Sequence, residues 1–448
     1  MKIGIFTDTY FPQISGVATS IKTLFDQLSA LGHTAYIFTT TDPNSDSIED
    51  VHENIIRLRS VPFVSMPERR VVMAGLPTAL KIAREYDLDI IHTQTEFGVG
   101  ILGKIVANRL HIPVVHTMHT KYEDYVHYIA NGRLIRPGAI KYVVRTFLLG
   151  TEAVICPSPM TLEAIENYGI KVPKRVIPTG IELARFTRPD ITAADSEKLR
   201  AQLSVSADET LLLSLSRLSQ EKNIQAVIRA LPAIRAHVAA RLIIVGDGPY
   251  LPTLEKLVES LELTEAVTFA GSVENDEVVR YYKAADFFIS ASTSETQGLT
   301  FTESIAAGTP ILAAENPYLH ALIDNPQFGR LFASDADIAD VATSAIRNQC
   351  AIAPALFDKK LYEISAENFG KKVAEFYHDL IIDYHNRPST FETLTEPLKS
   401  ATARSNHLAR TVGESVRTMP LKIRAQSGSL AQKMLKYVKI DKKKEDEH

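Results

Sequence analysis

Short apolar, β-branched runs alternate with stretches of helical period along this chain, and the alternation occurs twice. In the first half the runs are residues 2–7, 34–39, 55–58, 90–93, 113–117 and 153–156, separated by helical stretches such as 17–31 and 100–110. The rhythm pauses around residues 173–179. It resumes with residues 211–216, 242–245, 267–270, 287–290 and 310–313. Strands that alternate with helices pair in parallel and are covered on both faces, so the pattern specifies a doubly wound α/β fold. No sequence repeat relates the halves; what repeats is the architecture.

At 448 residues the chain is too long for one ordinary core. Two Rossmann-like domains are expected, residues 1–178 and 179–367, then a helix (368–386) returning toward the first and a linker and tail (387–448). With 45% hydrophobic and 23% charged residues the composition is that of a globular protein. No stretch approaches the ~18 uninterrupted apolar residues of a spanning helix. An acid at Asp8 comes too early for a secretory signal, and the two cysteines, Cys156 and Cys350, are far apart. A disulfide framework is excluded, and a reducing cytoplasm is the expected setting. The net charge of −4 conceals an asymmetry: residues 399–444 hold twelve Lys and Arg against two acids, while residues 1–398 carry −11. An acidic body with a basic tail is no generic nucleic-acid binder, but the tail suits an anionic surface.

Two facing sheets leave a cleft at the carboxyl ends of their strands, and the loops there decide the chemistry. After the first strand, residues 8–17 bring Gly16 to a helix start, where backbone N–H groups can meet a phosphate. A tight turn explains this glycine equally well, and G-x-G-x-x-G is missing. In residues 242–249, Val245-Gly246-Asp247-Gly248-Pro249 fits a strand-to-helix turn slightly better than a phosphate loop. Arg217 and Lys222 follow a strand end and can clamp a diphosphate, although either alone is ordinary surface charge. The strongest stretch is residues 294–313. Glu295 lies in a loop and Glu303 a turn inside the next helix, so the two carboxylates can each take two hydroxyls of a polyol. Gly298, Leu299 and Thr300 lie between them at the helix start. A first-turn acid on a helix dipole accounts for Glu303 but not for the arrangement.

Glu-x7-Glu followed by Ala306-Ala307-Gly308-Thr309-Pro310, with Arg217, Lys222 and the Val-Gly-Asp-Gly-Pro loop upstream, resembles the retaining glycosyltransferases of family 4 over about residues 1–385. The resemblance implies the GT-B fold and a nucleotide-sugar donor held mainly by the second domain. Glu295 would take donor-sugar hydroxyls and Glu303 the ribose. Arg217, Lys222 and Gly16 would face the diphosphate, and backbone at Gly298, Leu299 and Thr300 the sugar and phosphate. Many members have Glu-Gly-Phe-Gly where this chain has Glu295-Thr296-Gln297-Gly298, a departure that bears on donor selectivity. Residues 92–98 and 116–128 resemble the bacterial branch that glucosylates diacylglycerol. By that likeness His119 lies at the reaction centre with Glu295 as its catalytic partner, and Glu96, Tyr122 and Asp124 lie on the acceptor side. The implied reaction moves glucose from UDP-glucose to 1,2-diacylglycerol. Alternatives are a second hexose added to a monoglycosyl lipid, another nucleotide sugar, a Rossmann-type oxidoreductase, or a non-catalytic membrane scaffold.

No metal or other cofactor is expected. His116 and His119 lack a third ligand, Asp87-Leu88-Asp89 reads as a helix end and turn, and Arg217 and Lys222 supply the charge. A lipid acceptor implies a peripheral enzyme on the inner face of the membrane. Arg133 and Arg136 precede a helical stretch, 138–150, that carries Lys141 and Arg145 among apolar residues, as an interfacial helix does. In the tail, Leu430, Met434 and Val438 form a stripe flanked by Lys433, Lys436 and Lys439, suited to an anionic leaflet. Oligomeric state is left open.

Overall fold

In the computed structural model, which describes residues 1–13, 15–41, 54–63, 66–72, 75–119, 137–295, 297–349 and 351–386, the strands follow in chain order. They are β1 (Lys2–Phe6), β2 (Thr34–Thr40), β3 (Ile55–Leu58), the hairpin of β4 (Ser60–Phe63) and β5 (Met66–Val72), β6 (Ile90–Thr93), β7 (Val114–Thr117), β8 (Ala153–Cys156) and β9 (Lys174–Val176). The second half supplies β10 (Thr210–Leu215), β11 (Ala240–Val245), β12 (Val267–Gly271), β13 (Phe287–Ser290), β14 (Ile311–Ala314) and β15 (Gly329–Phe332). Two parallel sheets result, in the orders β3-β2-β1-β6-β7-β8-β9 and β12-β11-β10-β13-β14-β15. The fold is the expected α/β architecture with two Rossmann-like sheets. Both lie within one compact unit, Met1–His385.

Buried parallel strands are apolar on both faces, because helices cover each side. β6, β7, β8 and β14 are buried at every residue. Successive side chains then alternate between two cores. Ile3, Ile5, Ile90 and Val115 join one core of the first sheet, and Phe38, Ile91 and Val114 the other. In the second sheet Leu212, Leu242 and Ile289 oppose Leu213, Ile243 and Phe288.

The pause at residues 173–179 contains a short strand, β9, on the edge of the first sheet. Just beyond it the chain crosses between the sheets, and it crosses back at residues 364–366. The two crossings pair: Ile181 N–H donates to Ile364 O at 2.9 Å and Ala366 N–H to Ile181 O at 2.8 Å. Gly180 is needed there, since a Cβ would fall 2.1 Å from Ser365 O. The returning helix, Ala366–Asn386, then places Phe369, Val373, Phe376, Tyr377 and Leu380 in the core beneath β1. Among the described residues no helix is long and apolar enough to cross a membrane.

Candidate active site

Each sheet reverses its strand order once, between β1 and β6 and between β10 and β13. Loops leaving the carboxyl ends diverge at such points and leave a crevice. The loop after β10 carries Arg217 and Lys222, and the loop after β13 carries Glu295 and Gly298. In the first sheet, Asp8 and Gly16 follow β1, Gln94 and Glu96 follow β6, and His119 follows β7.

On the second sheet, Lys222 Nζ donates to Glu295 Oε1 at 2.5 Å, with both side chains about one-fifth exposed. Ser292 Oγ donates to the same oxygen at 3.4 Å. Asn223, in the left-handed region at φ 51°, ends the turn that carries Lys222 and sends Nδ2 to Asp335 Oδ1 at 3.0 Å. Arg217 is exposed. Its loop rests on Gly246 and Gly248, where a Cβ would fall 2.0 Å from Ser216 O and 2.2 Å from Leu218 O. The glycines of Val-Gly-Asp-Gly-Pro therefore serve a close approach of two loops, as the turn reading has it.

Gly298 has φ 69° and precedes the helix Leu299–Ala306. One turn in, Glu303 Oε2 accepts from Tyr282 OH at 3.1 Å. Burial pushes the Glu303 carboxyl above the usual range, while the Tyr282 bond and the Arg185 charge oppose that shift. The side chain of Gln297 is buried and turns away from Glu295: its amide meets both backbone groups of Thr179.

On the first sheet, His119 Nε2 lies 2.6 Å from Gln94 Oε1. That oxygen can only accept, so the Nε2 atom carries the hydrogen and the neutral ring has its lone pair on Nδ1. Burial, then the charge of His116, lowers the His119 pKa to about 4, with Glu96 acting the other way. Glu96 is itself buried, with Oε1 3.2 Å from His116 Nε2. His92 is buried between Tyr377 OH, 2.5 Å from Nδ1, and Thr117 Oγ1, 2.6 Å from Nε2, and burial holds its pKa well below the ordinary value. Asp8 serves the helix Gly98–Leu110, whose own first cap, Phe97, offers no side-chain acceptor. Asp8 Oδ1 accepts from Val99 N–H at 2.9 Å and Oδ2 from Thr95 Oγ1 at 2.6 Å. Gly16 is exposed, and Ser15 caps its helix by accepting from Ala18 N–H at 3.2 Å.

Tyr122, Asp124, Arg133, Arg136, Cys350 and the basic tail lie outside the described residues. Lys141 Nζ donates to Asn167 O at 2.6 Å, whereas Arg145 is exposed. Val144, Phe147 and Leu148 of the same helix are core residues. Asp89 Oδ2 accepts from Lys2 N–H at 2.7 Å and Asp87 Oδ2 lies 3.5 Å from Lys2 Nζ, both at the amino end of β1, away from the crevice. Among the described residues no three His, Cys, Asp or Glu side chains cluster as a metal site would need. Tyr282 carries no motif of its own and is marked only by its bond to Glu303, while Asp8 and Gln94 lie within stretches singled out in the sequence but are not distinguished there from their neighbours.

Residues 14–185 match the model of Glycosyltransferase Family 4, and residues 195–363 that of Glycosyl transferases group 1. The chain is 53% identical, over 85% of its length and 86% of the relative's, to the alpha-monoglucosyldiacylglycerol synthase of Streptococcus pneumoniae. It is 33% identical to the Acholeplasma laidlawii protein of the same name, over 86% of this chain and 99% of that one. The fold is shared with Anabaena Alr3699/HepE in complex with UDP (TM-score 0.68, 20% identity, 85% of this chain and 100% of that one). Both matched models run in order along the chain and a relative shares over half its residues across most of both sequences, so the chain belongs to glycosyltransferase family 4.

Proposed function

We propose that this enzyme transfers glucose from UDP-glucose to 1,2-diacylglycerol at a membrane surface, giving alpha-monoglucosyldiacylglycerol. The observation that carries the reading is the 53% identity with the Streptococcus pneumoniae synthase. The site geometry is compatible with it. Lys222 and exposed Arg217 flank the place where a diphosphate meets the second sheet, and Glu303 stands a helical turn away to take the ribose. Glu295, released from Lys222 as phosphate arrives, takes sugar hydroxyls, with backbone at Gly298, Leu299 and Thr300 alongside. Neither packing nor backbone demands a glycine at Gly16, where a Cβ would meet nothing within 4 Å. Close approach of the diphosphate to that helix start supplies the reason.

The reaction retains configuration. The acceptor oxygen attacks the anomeric carbon from the face the diphosphate leaves, and its proton passes to the departing phosphate oxygen. His119, neutral near pH 7, hydrogen-bonds within the sugar's surroundings instead of delivering a proton. Glu96, Tyr122 and Asp124 serve the acceptor side. No metal is required, because Arg217 and Lys222 offset the phosphate charge. Arg133, Arg136, Lys141, Arg145 and the tail hold the enzyme peripherally on the inner, anionic leaflet. The test is incubation with diacylglycerol vesicles and a panel of nucleotide sugars, with the linkage read by NMR. An α-linked monoglucosyl lipid from UDP-glucose is expected; a β-linkage, or transfer only to a lipid that already bears a sugar, would overturn the reading.

A further inference from the structure

Gln297 stands where many family members carry phenylalanine, and its side chain is spent within the protein. Its Oε1 accepts from Thr179 N–H at 2.9 Å and its Nε2 donates to Thr179 O at 2.7 Å, so one amide closes both backbone groups of one residue 118 positions away. Tyr318, also buried, lies close to the same side chain. Thr179 lies in the first crossing between the sheets, two residues from Ile181, which pairs with the second crossing. Its Oγ1 in turn meets Ser20 Oγ at 2.8 Å, on the helix that Gly16 opens. A continuous buried chain therefore runs from the donor loop through Gln297 and Thr179 to Ser20.

We propose that Gln297 is a positioning residue that registers the Glu295–Gly298 loop against the crossing and, through Thr179 and Ser20, against the Gly16 helix. The inference rests on the proposed function in that both ends are assigned to one donor. The loop and the Gly16 helix start belong to different sheets, and a diphosphate held by both needs their separation fixed. Packing of apolar side chains alone tolerates sliding; two hydrogen bonds in opposite directions to one backbone residue do not. A phenylalanine could fill the volume but could not set this register. Selectivity for the donor is thus not read directly by the Gln297 side chain, which is committed to Thr179.

The test compares wild type with Gln297→Met, which keeps the length and loses the polar atoms, and with Ser20→Ala at the far end of the chain of contacts. UDP binding is measured by calorimetry, transfer by kcat and KM, and the Thr179 amide by hydrogen exchange. Expected for Gln297→Met are kcat lower by about ten-fold, UDP affinity lower by a smaller factor of about three-fold, and faster Thr179 exchange. Ser20→Ala is expected to lower kcat less, by about three-fold, and the double variant to be no worse than Gln297→Met alone, since one chain of contacts is cut twice. Unchanged kcat in folded Gln297→Met overturns the proposal, as does a loss that appears wholly in UDP affinity. Should Gln297→Met fail to bind UDP and melt early, Ser20→Ala decides: unchanged kcat there overturns the proposal. Wild type inactive with every donor and acceptor defeats the functional reading instead, and unaltered Thr179 exchange in Gln297→Met then defeats the positional one.

Discussion

Lys222 and Glu295 pair across the loops that follow β10 and β13, ammonium and carboxylate meeting at 2.5 Å. On the proposed assignment the pair parts when phosphate claims the lysine. Lys222→Ala is expected to weaken UDP binding about 10- to 150-fold, the equivalent of ~1.5–3 kcal/mol for a charge-assisted hydrogen bond. Glu295→Ala should leave UDP affinity nearly intact and lower kcat with UDP-glucose. Calorimetry with UDP beside steady-state kinetics separates the two, and equal losses of UDP affinity in both variants would contradict the assignment.

Glu303 is held by Tyr282, so its position can be disturbed without touching the carboxylate. Tyr282→Phe removes only the hydroxyl from a buried ring. A loss of UDP affinity by about three- to ten-fold is expected, from one hydrogen bond of ~0.5–1.5 kcal/mol, with Glu303→Ala losing more. If Glu303→Ala binds UDP as tightly as wild type, its carboxylate does not hold the ribose.

The buried rings of His92 and His119 should make stability fall in mild acid. Unfolded, His119 takes a proton near pH 6.5; folded, it does so only near pH 4. Its contribution is complete above pH 6.5 and is lost as the pH falls toward 4, with a slope of about 1.4 kcal/mol per pH unit for each such ring. Burial-raised carboxyls at Asp8 and Glu303 act in the opposite sense. The difference in urea midpoint between wild type and His119→Gln isolates the ring. Wild type should lose more stability than the variant between pH 7.5 and pH 5; parallel curves would refute a neutral His119.

If Arg217 and Lys222 offset the diphosphate charge as proposed, transfer should persist in excess EDTA. Abolished activity that manganese or magnesium restores would contradict the metal-free reading and reopen the question of Asp87 and Asp89.

Removal of residues 400–448 is expected to leave the body folded, because the helix Ala366–Asn386 ends upstream. Binding to anionic vesicles should weaken, most at low salt, where screening is least. Sedimentation that is equal and salt-insensitive with and without the tail would assign attachment to the Arg133–Gly150 region.

Residues 55–58, 90–93, 153–156 and 287–290 are strands over the very bounds read from the sequence, and of these 90–93 and 153–156, inside their sheet, are buried at every position. Edge strands carry no such demand. β9 is Lys-Arg-Val, and β15 opens with Gly329, required because a Cβ would fall 1.9 Å from Ile311 O; both look like loop. At the candidate site, Glu295, Glu303, Arg217 and Lys222 are singled out by local spacing together with the family resemblance. The Gln94–His119 and Gln297–Thr179 contacts are not, since each joins residues brought together only when separate loops meet.

The paired crossings at Ile181 and Ser365 bear on the order in which the protein can be made. All strands of the first sheet have left the ribosome by Val176, yet the helix that seals the core beneath β1 is translated some two hundred residues later. Until then Ile3, Ile5 and Ile21 lack the cover of Phe369, Val373 and Tyr377, and His92 lacks the tyrosine hydroxyl at its Nδ1. The half synthesised first is therefore the half finished last, and a nascent chain stalled before residue 366 would present that apolar face to chaperones instead of a completed domain.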